Sequence, residues 1–480
     1  MKFDYDLFVI GAGPGGLAAA ERAAGYGARV AIAEQDLVGG TCVIRGCIPE
    51  KLMSYAASFS ELYQEGIGYG WKQPQTSFDW HQFMIAKNEE IRRLSDLHKR
   101  SLEKAGVEFI KGRATLINPH TLDIKPLQNS NSKTGETPIP QEFLEESIQG
   151  RQITAEKILI AVGGEAVKPQ IPGIEYAITS RELFDRKQQP KHVAIIGGNY
   201  IAVKLAGIMR MLGSFVTLIV HEDGILSDFD ADICRAVTEG IKRRGIQIIN
   251  NSAVKKIEQI HGEQLHLTLS GTSRDTSIVD TVVCVTGRAP NLTGLNLEAA
   301  GVKVSKSRNC YVQVDAIAVD EQNQTTQANI FAVGDCTNRL TYTPVAIAQA
   351  RAFADTHFGD RPQTISYECI PSVVSFFPEA ATVGLSEEKA REKIGDFLRC
   401  DRSEFRPLFH SLAKREEKVL IKLVVDSTNE RVLGVHMVGP GAIEIVQCLA
   451  LPLRMGATKK DFDATIGIHP SVAEEFFALV

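Results

Sequence analysis

Apolar residues are grouped into short unbroken runs in two similar segments of the chain. In the first segment, the run at residues 7–10 precedes a stretch rich in small residues at 18–24, and a second apolar run ends at Glu34. Unbroken runs of this length are typical of parallel strands that are buried on both faces. The second segment repeats this order from residues 193–196. The pattern predicts one strand–helix–strand unit near the N-terminus and another in the middle of the chain.

Three glycines, Gly11, Gly13 and Gly16, separate the first predicted strand from its helix in the spacing G-x-G-x-x-G. In dinucleotide-binding turns the first permits the tight turn, the second lets backbone approach a pyrophosphate, and the third lets the helix pack on the strand. Glu34 follows about 20 residues later, where an acid binds a ribose hydroxyl. The glycines alone are a weak signal. The whole order predicts a bound dinucleotide with its pyrophosphate at the helix N-terminus.

The middle segment carries an altered copy of this turn, GGNYIA, which begins at Gly197. Alanine at the third glycine position is ordinary, but Asn199 puts a side chain where backbone should approach phosphate. Asparagine tolerates unusual backbone angles better than most residues, so the turn can still form. Two units predict two dinucleotides, one held tightly and one exchanging. The alternative is a second unit that is structural and binds nothing.

Composition limits the classes of function. The chain has 480 residues, 44% apolar and 23% charged, which predicts a soluble protein of two or three domains. A net charge of -5 with no basic run argues against nucleic acid as a partner. No apolar stretch reaches the roughly 18 residues of a membrane span, and no secretion signal is evident. Most of the nine cysteines are scattered singly, which suits a reducing compartment and predicts a cytoplasmic protein.

Cys42 and Cys47 are the exception, because they lie close together in the segment GGTCVIRGCIPEKLM. A structural zinc site needs four ligands, commonly as two close pairs, and no second pair exists. A purely structural disulfide does not suit a reducing compartment. A helix is expected just after Cys47, and a helix N-terminus lowers the pKa of a thiol. The pair therefore predicts redox chemistry, with no metal, in which electrons pass from a cofactor to a disulfide substrate.

This segment resembles the redox-active segment of the FAD-dependent pyridine nucleotide–disulfide reductases. The resemblance covers nearly the whole chain, and residues 404–410 and 455–475 are most similar to the glutathione reductase branch of that family. It implies an α/β fold with two Rossmann-like dinucleotide-binding domains and a C-terminal α+β dimerisation domain. The matching segments follow the family order: residues 11–34, 42–47, 161–173, 197–202, 286–291, 326–335 and 466–476.

The resemblance assigns catalytic roles to four residues. Cys42 would attack the disulfide substrate, and Cys47 would face the flavin as a thiolate. His469 would be the acid and base for Cys42, and Glu474 would orient it, the usual way to activate a weak nucleophile. In the family this histidine comes from the neighbouring subunit, so the resemblance implies a homodimer. The implied reaction passes electrons from NAD(P)H through FAD and a Cys42–Cys47 disulfide to glutathione disulfide.

Other residues match family positions around the two cofactors. Thr41 would lie near the FAD phosphates, and Asp335 would hold the ribityl chain of FAD. Tyr200 would cover the nicotinamide pocket; the alternative is an aromatic residue that only packs in the core. The remaining candidates for cofactor binding are Gly11, Gly13, Gly16, Glu34, Lys51, Gly197, Lys204 and Arg288.

One departure from the family concerns a pair of charges. The family usually has a lysine beside the flavin at the position of Glu50, and a glutamate at the position of Lys204. We interpret the two changes as one ion pair with its signs exchanged, because an unpaired charge in that crevice would be costly. The alternative is two independent losses. Lys51 remains and could partly compensate for the acid at position 50.

A second departure concerns the nicotinamide cofactor. His221 and Ser227 stand where NADPH-dependent members carry two arginines for the 2′-phosphate, and Glu222 and Asp223 lie close by. An acid favours a free 2′-hydroxyl over a phosphate. Family membership therefore argues for NADPH, whereas these residues argue for NADH or for weak binding of either.

A third departure concerns the substrate. Pro14, Glu21 and His98 replace a serine, an arginine and a tyrosine of the glutathione site, whereas Arg351 is retained. His98 and Arg351 are the candidates for substrate binding, and Glu21 would repel a glycine carboxylate. Glutathione disulfide is the leading substrate. The alternatives are another small disulfide, or a flavoprotein with an impaired nicotinamide site that acts as a redox sensor or structural protein.

These placements predict three domains. Residues 1–153 and 292–364 are expected to form a split FAD domain. Residues 154–291 are expected to form the NAD(P)H domain, and residues 365–480 the dimerisation domain.

Overall fold

The structure is a computed structural model of the chain, and it describes residues 2–72, 77–126, 150–271, 277–309 and 312–479. Its strands are β1 Tyr5–Ile10, β2 Val30–Glu34, β3 Glu108–Lys111, β4 Arg113–Asn118, β5 Thr121–Lys125, β6 Arg151–Ile160, β7 Gly164–Ala166, β8 Ile178–Thr179, β9 His192–Ile196, β10 Phe215–Ile219, β11 Gln247–Ile249, β12 Ser252–Gln259, β13 Leu265–Gly271, β14 Ser277–Val279, β15 Thr281–Cys284, β16 Arg288–Pro290, β17 Val304–Asn309, β18 Val312–Ile317, β19 Ile330–Ala332, β20 Ser372–Phe376, β21 Glu379–Gly384, β22 Leu398–Phe405, β23 Val419–Asp426 and β24 Val432–Val438. Its α-helices are α1 Pro14–Gly25, α2 Gly40–Arg45, α3 Cys47–Gly66, α4 Trp80–Lys104, α5 Ser180–Leu183, α6 Tyr200–Met211, α7 Ala231–Arg243, α8 Thr343–Phe358, α9 Glu387–Ile394, α10 Leu408–Leu412, α11 Ala442–Met455 and α12 Lys459–Ala464.

The first unit is a sheet in the order β3-β2-β1-β6-β5-β4, with β19 also paired to β6. β1, β2, β3, β6 and β19 are paired in parallel, whereas β4 and β5 are antiparallel to their neighbours. Leu7, Val9 and Phe331 are buried in the core between this sheet and α1 and α8, and small alanines of α1 allow the close packing. The predicted strand–helix–strand order of residues 5–34 is confirmed.

Strand β6 extends the first unit beyond the boundary expected from the sequence. Its N-terminal part pairs with β5 and its C-terminal part with β1, up to the partners Ile10 and Ile160. The first sheet therefore includes residues beyond position 153, up to Ile160. The chain enters the second unit after β7 and leaves it through β16, and these two strands form an antiparallel pair.

The second unit contains a parallel sheet in the order β11-β10-β9-β15-β8 and an antiparallel sheet of β12, β13 and β14. Helix α6 packs against β9 and β10, as the second predicted strand–helix–strand unit requires. Its buried face is apolar from Ala202 to Met209 except for one lysine, Lys204. This unit confirms that the dinucleotide-type turn occurs twice in the chain.

The third unit is an antiparallel sheet in the order β20-β21-β24-β23-β22, covered by α11. The one charged residue inside β23, Lys422, is fully buried, and its Nζ lies 2.8 Å from carboxylate oxygens of Asp230 and Asp232 of the second unit and 2.9 Å from Glu387. The α/β fold class with a C-terminal α+β unit is confirmed. No helix in the described ranges is long and apolar enough to cross a membrane.

Candidate active site

The cysteine segment folds into two consecutive helices that lie against the first glycine turn. Cys42 is in α2, Cys47 is the first residue of α3, and Gly46 separates the two helices. Gly40 begins α2 with a φ of 61°, and a Cβ there would lie 2.6 Å from the Cα of Gly13. Only glycine permits both that backbone conformation and that approach. The two thiols are therefore held next to the N-terminus of α1.

The two cysteines are free thiols with opposite electrostatic environments. A hydrogen bond from the Cys42 thiol lowers the pKa of Cys47 to about 6, and the charge of Lys204 also lowers it. The same hydrogen bond, together with burial, raises the pKa of Cys42. As the sequence predicted, Cys47 lies at a helix N-terminus, where the dipole favours a thiolate. At neutral pH Cys47 is thus the charged sulfur, and Cys42 needs a base before it can act as a nucleophile.

A buried ion pair lies beside Cys47. The Nζ of Lys204 donates a hydrogen bond of 2.8 Å to Oε2 of Glu50, and the two residues are 8% and 7% exposed. The ammonium also lies 5.2 Å from the ring centroid of Tyr200 and 5.3 Å from that of Phe376, within the range of cation–π attraction. The two side chains therefore form the ion pair that the interpretation with exchanged signs requires.

The first glycine turn has the features needed to hold a dinucleotide. A Cβ at Gly16 would lie 1.9 Å from the carbonyl oxygen of Gly11, so the turn requires glycine there. Gly13 precedes α1 without a side-chain cap, which leaves the start of the helix open to a phosphate. Glu34 accepts backbone hydrogen bonds of 2.8 Å from Ala12, Gln35 and Asp36, and its burial raises its pKa. These residues fit FAD, with the pyrophosphate at α1.

The second turn has the same backbone form but a different start to its helix. Asn199 has φ −75° and ψ 172°, close to the −78° and −178° of Gly13. The turn therefore forms with asparagine at this position and requires no unusual backbone angle there. Its Oδ1 accepts hydrogen bonds from the N–H groups of Ile201 (3.0 Å) and Ala202 (3.1 Å), and its Nδ2 donates one of 2.8 Å to the carbonyl of Val285. The N-terminus of α6 is closed by a side chain, whereas that of α1 is open.

An open cavity of about 440 Å³ brings together the residues singled out for substrate binding. It is lined by Pro14, Glu21, His98 and Arg351, together with Val43, which follows Cys42 directly. Residues from α1, α2, α4 and α8 thus meet at one site beside the half-buried Cys42. The cavity is lined by the carboxylate of Glu21 and the guanidinium groups of Arg22 and Arg351, so its charge is mixed.

The C-terminal segment presents His469 outwards. Its Nδ1 lies 3.1 Å from Oε2 and 3.2 Å from Oε1 of Glu474, while the imidazole side chain remains 83% exposed. The backbone N–H of Ser471 donates to Glu474 as well, which holds the carboxylate in place and lowers its pKa. The carboxylate thus fixes the tautomer and leaves Nε2 available to another group.

The chain matches known protein families and known proteins along nearly its whole length. The family model of pyridine nucleotide-disulphide oxidoreductases matches residues 5–350, and the model of their dimerisation domain matches residues 370–479. The chain belongs to the pyridine nucleotide-disulphide oxidoreductases. It is 52% identical to the glutathione reductase of a Nostoc species over the whole of both chains, and 41% identical to that of Burkholderia cepacia over 100% of this chain and 99% of the other.

A solved structure supports the same family. The HOCl-induced flavoprotein disulfide reductase RclA from Escherichia coli superposes with a TM-score of 0.83 at 26% identity, covering 99% of each chain. The likeness extends over all three units of this chain. The order of its domains is therefore that of a pyridine nucleotide-disulphide oxidoreductase.

The remaining residues that were predicted to bind a cofactor lie on different elements of the chain. Asp335 follows β19, and its Oδ2 lies 3.4 Å from Nη2 of Arg288, which also donates to the carbonyl of Gly164. Thr41 is exposed in the first turn of α2. The Nζ of Lys51 lies over the rings of Tyr55 (4.9 Å) and Phe376 (5.2 Å). Lys51 and Lys204 thus both approach Phe376, but Lys204 is the one that pairs with Glu50.

Sequence reasoning missed Thr343. Its Oγ1 lies 3.9 Å from the Sγ of Cys47, and it is the first residue of α8. A second helix N-terminus therefore faces the charged sulfur and adds to the stabilisation of the thiolate. Pro344 directly after it is a signal for the start of a helix, but nothing in the sequence alone relates that start to the cysteines.

Proposed function

We propose that this chain is an FAD-dependent reductase that uses a nicotinamide dinucleotide to reduce glutathione disulfide through Cys42 and Cys47. The observation that carries the proposal is the thiol pair itself: one protonated sulfur beside an open cavity and one charged sulfur at two helix N-termini. The glutathione reductases to which the chain is similar along its whole length support this substrate.

The residues that would hold FAD are those of the first unit. Gly11, Gly13 and Gly16 would bind the pyrophosphate at α1, and Glu34 the ribose; Thr41, Asp335 and Arg288 would complete the site. When bound, FAD supplies the two-electron chemistry that connects a hydride donor to a protein disulfide. Gly197, Tyr200 and Lys204 would line the nicotinamide site.

The steps on sulfur use only residues of the protein. Cys42, once its proton has passed to His469, attacks one sulfur of the substrate disulfide and forms a mixed disulfide, and the first glutathione thiolate takes that proton from His469. The Cys47 thiolate then attacks the sulfur of Cys42. This forms the Cys42–Cys47 disulfide and releases the second glutathione thiolate. The opposite pKa shifts of the two thiols suit this order of attack.

We propose further that the enzyme is a homodimer in which the partner subunit's His469 serves Cys42. Ile466 and Ile468, which precede His469, are 95% and 82% exposed in the single chain, and apolar residues exposed to this degree in one loop favour an interface. The matched dimerisation model includes this segment. Hybrid dimers made from a Cys42→Ser subunit and a His469→Gln subunit test this: one site per dimer regains both groups, so activity returns. Without exchange between subunits, no activity would return.

Glu474→Gln is expected to lower kcat about tenfold, because the imidazolium that forms during the reaction loses its compensating carboxylate. Steady-state rates with glutathione disulfide measure this effect. Glu475→Gln is the matched control, because Glu475 lines a cavity of about 330 Å³ together with His469 and Glu474 but makes no hydrogen bond to His469 among the described residues.

The nicotinamide preference is expected to be weak. His221 and Ser227 are both exposed and neither supplies a permanent positive charge, so we expect kcat/KM for NADPH and NADH to differ by less than about tenfold. The double variant His221→Arg/Ser227→Arg should raise the ratio in favour of NADPH by about 10²-fold, because guanidinium groups bind a phosphate through charge-assisted hydrogen bonds. His261→Arg, an exposed position in the turn between β12 and β13, is the control. A wild-type preference above 10²-fold for either dinucleotide would contradict the expectation.

A second candidate is a reductase of a different small disulfide, favoured by Glu21 in the cavity. A carboxylate there opposes a substrate carboxylate, although Arg351 attracts one. Dinucleotide oxidation with glutathione disulfide, cystine and an uncharged aromatic disulfide distinguishes the two. A higher kcat/KM for either of the last two would replace glutathione disulfide as the proposed substrate.

A further inference from the structure

At the N-terminus of α6, the side chain of Asn199 occupies the position that a dinucleotide pyrophosphate would take. In the first unit, Gly13 leaves the corresponding N-terminus without a side-chain cap. In the second, the carboxamide oxygen of Asn199 accepts from the N–H groups of Ile201 and Ala202. The two turns have nearly the same backbone angles, so the difference between them comes from the side chain.

These N–H groups are the ones that a phosphate uses. The first turn of a helix has N–H groups without intrahelical partners, and together with the helix dipole they form an anion site. An asparagine at the cap position satisfies the same donors with a neutral oxygen. A pyrophosphate and the Asn199 carboxamide therefore compete for one set of donors.

The carboxamide is also anchored from its other end. Its Nδ2 donates to the carbonyl oxygen of Val285, at the end of the neighbouring parallel strand β15. A phosphate that displaced the side chain would take over the two N–H groups bound by Oδ1, but the hydrogen bond from Nδ2 to Val285 would be lost. Val285 is 6% exposed, so water restores only part of that loss.

We propose that Asn199 is an affinity-determining residue of the nicotinamide site: its carboxamide caps α6 in the free enzyme and must leave before the dinucleotide pyrophosphate binds there. The proposal rests on the proposed function, since it assumes that the second unit binds a nicotinamide dinucleotide. It predicts that the enzyme binds NADPH and NADH more weakly than the open turn would allow.

Four variants test the proposal by calorimetric titration of the FAD-loaded protein with NADPH, NADH and ADP-ribose. Asn199→Gly opens the helix N-terminus and should lower the Kd of all three ligands about tenfold. Asn199→Ala should lower it less, because its Cβ remains. Asn199→Asp retains the cap and adds a negative charge, so the Kd should rise at least about tenfold. Ser386→Gly removes the cap of α9, a helix distant in the sequence, and should leave every Kd unchanged.

The outcomes separate the proposal from its alternatives. A Kd that rises in Asn199→Gly would overturn it and would mean that the Asn199 amide is itself a phosphate ligand. A Kd that stays within about twofold of wild type in both Asn199→Gly and Asn199→Asp would also overturn it. Binding of ADP-ribose does not require catalysis, so this measurement tests the role of Asn199 independently of the proposed function. That function would fail if the wild-type enzyme reduced no disulfide with either dinucleotide.

Discussion

Cys42→Ser is expected to lower kcat for the reduction of glutathione disulfide by at least about 10³-fold, because a serine hydroxyl cannot form the mixed disulfide that the proposed reaction requires. The bleaching of flavin absorbance by NADPH or NADH should persist, since it precedes the attack on substrate. Steady-state dinucleotide oxidation with the substrate measures the first effect. Anaerobic titration without substrate measures the second.

Two further cysteine variants make this expectation specific. Cys47→Ser retains the nucleophile but lacks the thiolate that resolves the mixed disulfide, so mass spectrometry should find glutathione attached to Cys42. Cys448→Ser changes an exposed cysteine of α11 and should keep the wild-type rate. If Cys42→Ser retained more than about a tenth of the wild-type kcat, substrate reduction would have to occur at another group.

Local pattern was sufficient for much of the fold. The run at residues 7–10, the small residues after it and the run ending at Glu34 correspond to β1, α1 and β2, because burial on both faces of a parallel strand leaves an unbroken apolar run. The same reasoning located β9 at the run of residues 193–196. The helix expected just after Cys47, from Pro49 onwards, corresponds to α3, which begins two residues earlier, at Cys47.

Features set by distant residues were harder to predict. The first sheet continues to Ile160 because β6 pairs with β5 at one end and with β1 and β19 at the other, and no local signal marks that change of partner. The cap that Asn199 forms on α6 involves only the residues next to it, but its hydrogen bond to Val285 depends on the position of β15. Thr343 reaches Cys47 only through the packing of α8. That Pro14, His98 and Arg351 line one cavity could be predicted only from the resemblance to the family.

Lys204→Glu is expected to destabilise the protein by about 3–5 kcal/mol, the usual cost of leaving a buried charge without its partner. Here the new glutamate would face Glu50, whose Oε1 is already buried without a hydrogen-bond partner in the described part of the chain. The pKa of Cys47 should also rise, because the cation that lowers it is replaced by an anion. Urea unfolding gives the stability, and titration of the ultraviolet thiolate absorbance gives the pKa.

The double exchange Glu50→Lys/Lys204→Glu restores opposite charges at the same two positions and should recover most of the lost stability. The exposed pair of Lys256 and Glu258, with a comparable separation of 2.7 Å, is the matched control, and Lys256→Glu should change the unfolding midpoint little because solvent screens the charges. Recovery in the double variant would show that the reversed signs act as one unit. If the double variant recovered no stability, the two charges would not act as one pair. Each position beside Cys47 would then require the sign of charge that it carries in the wild-type protein.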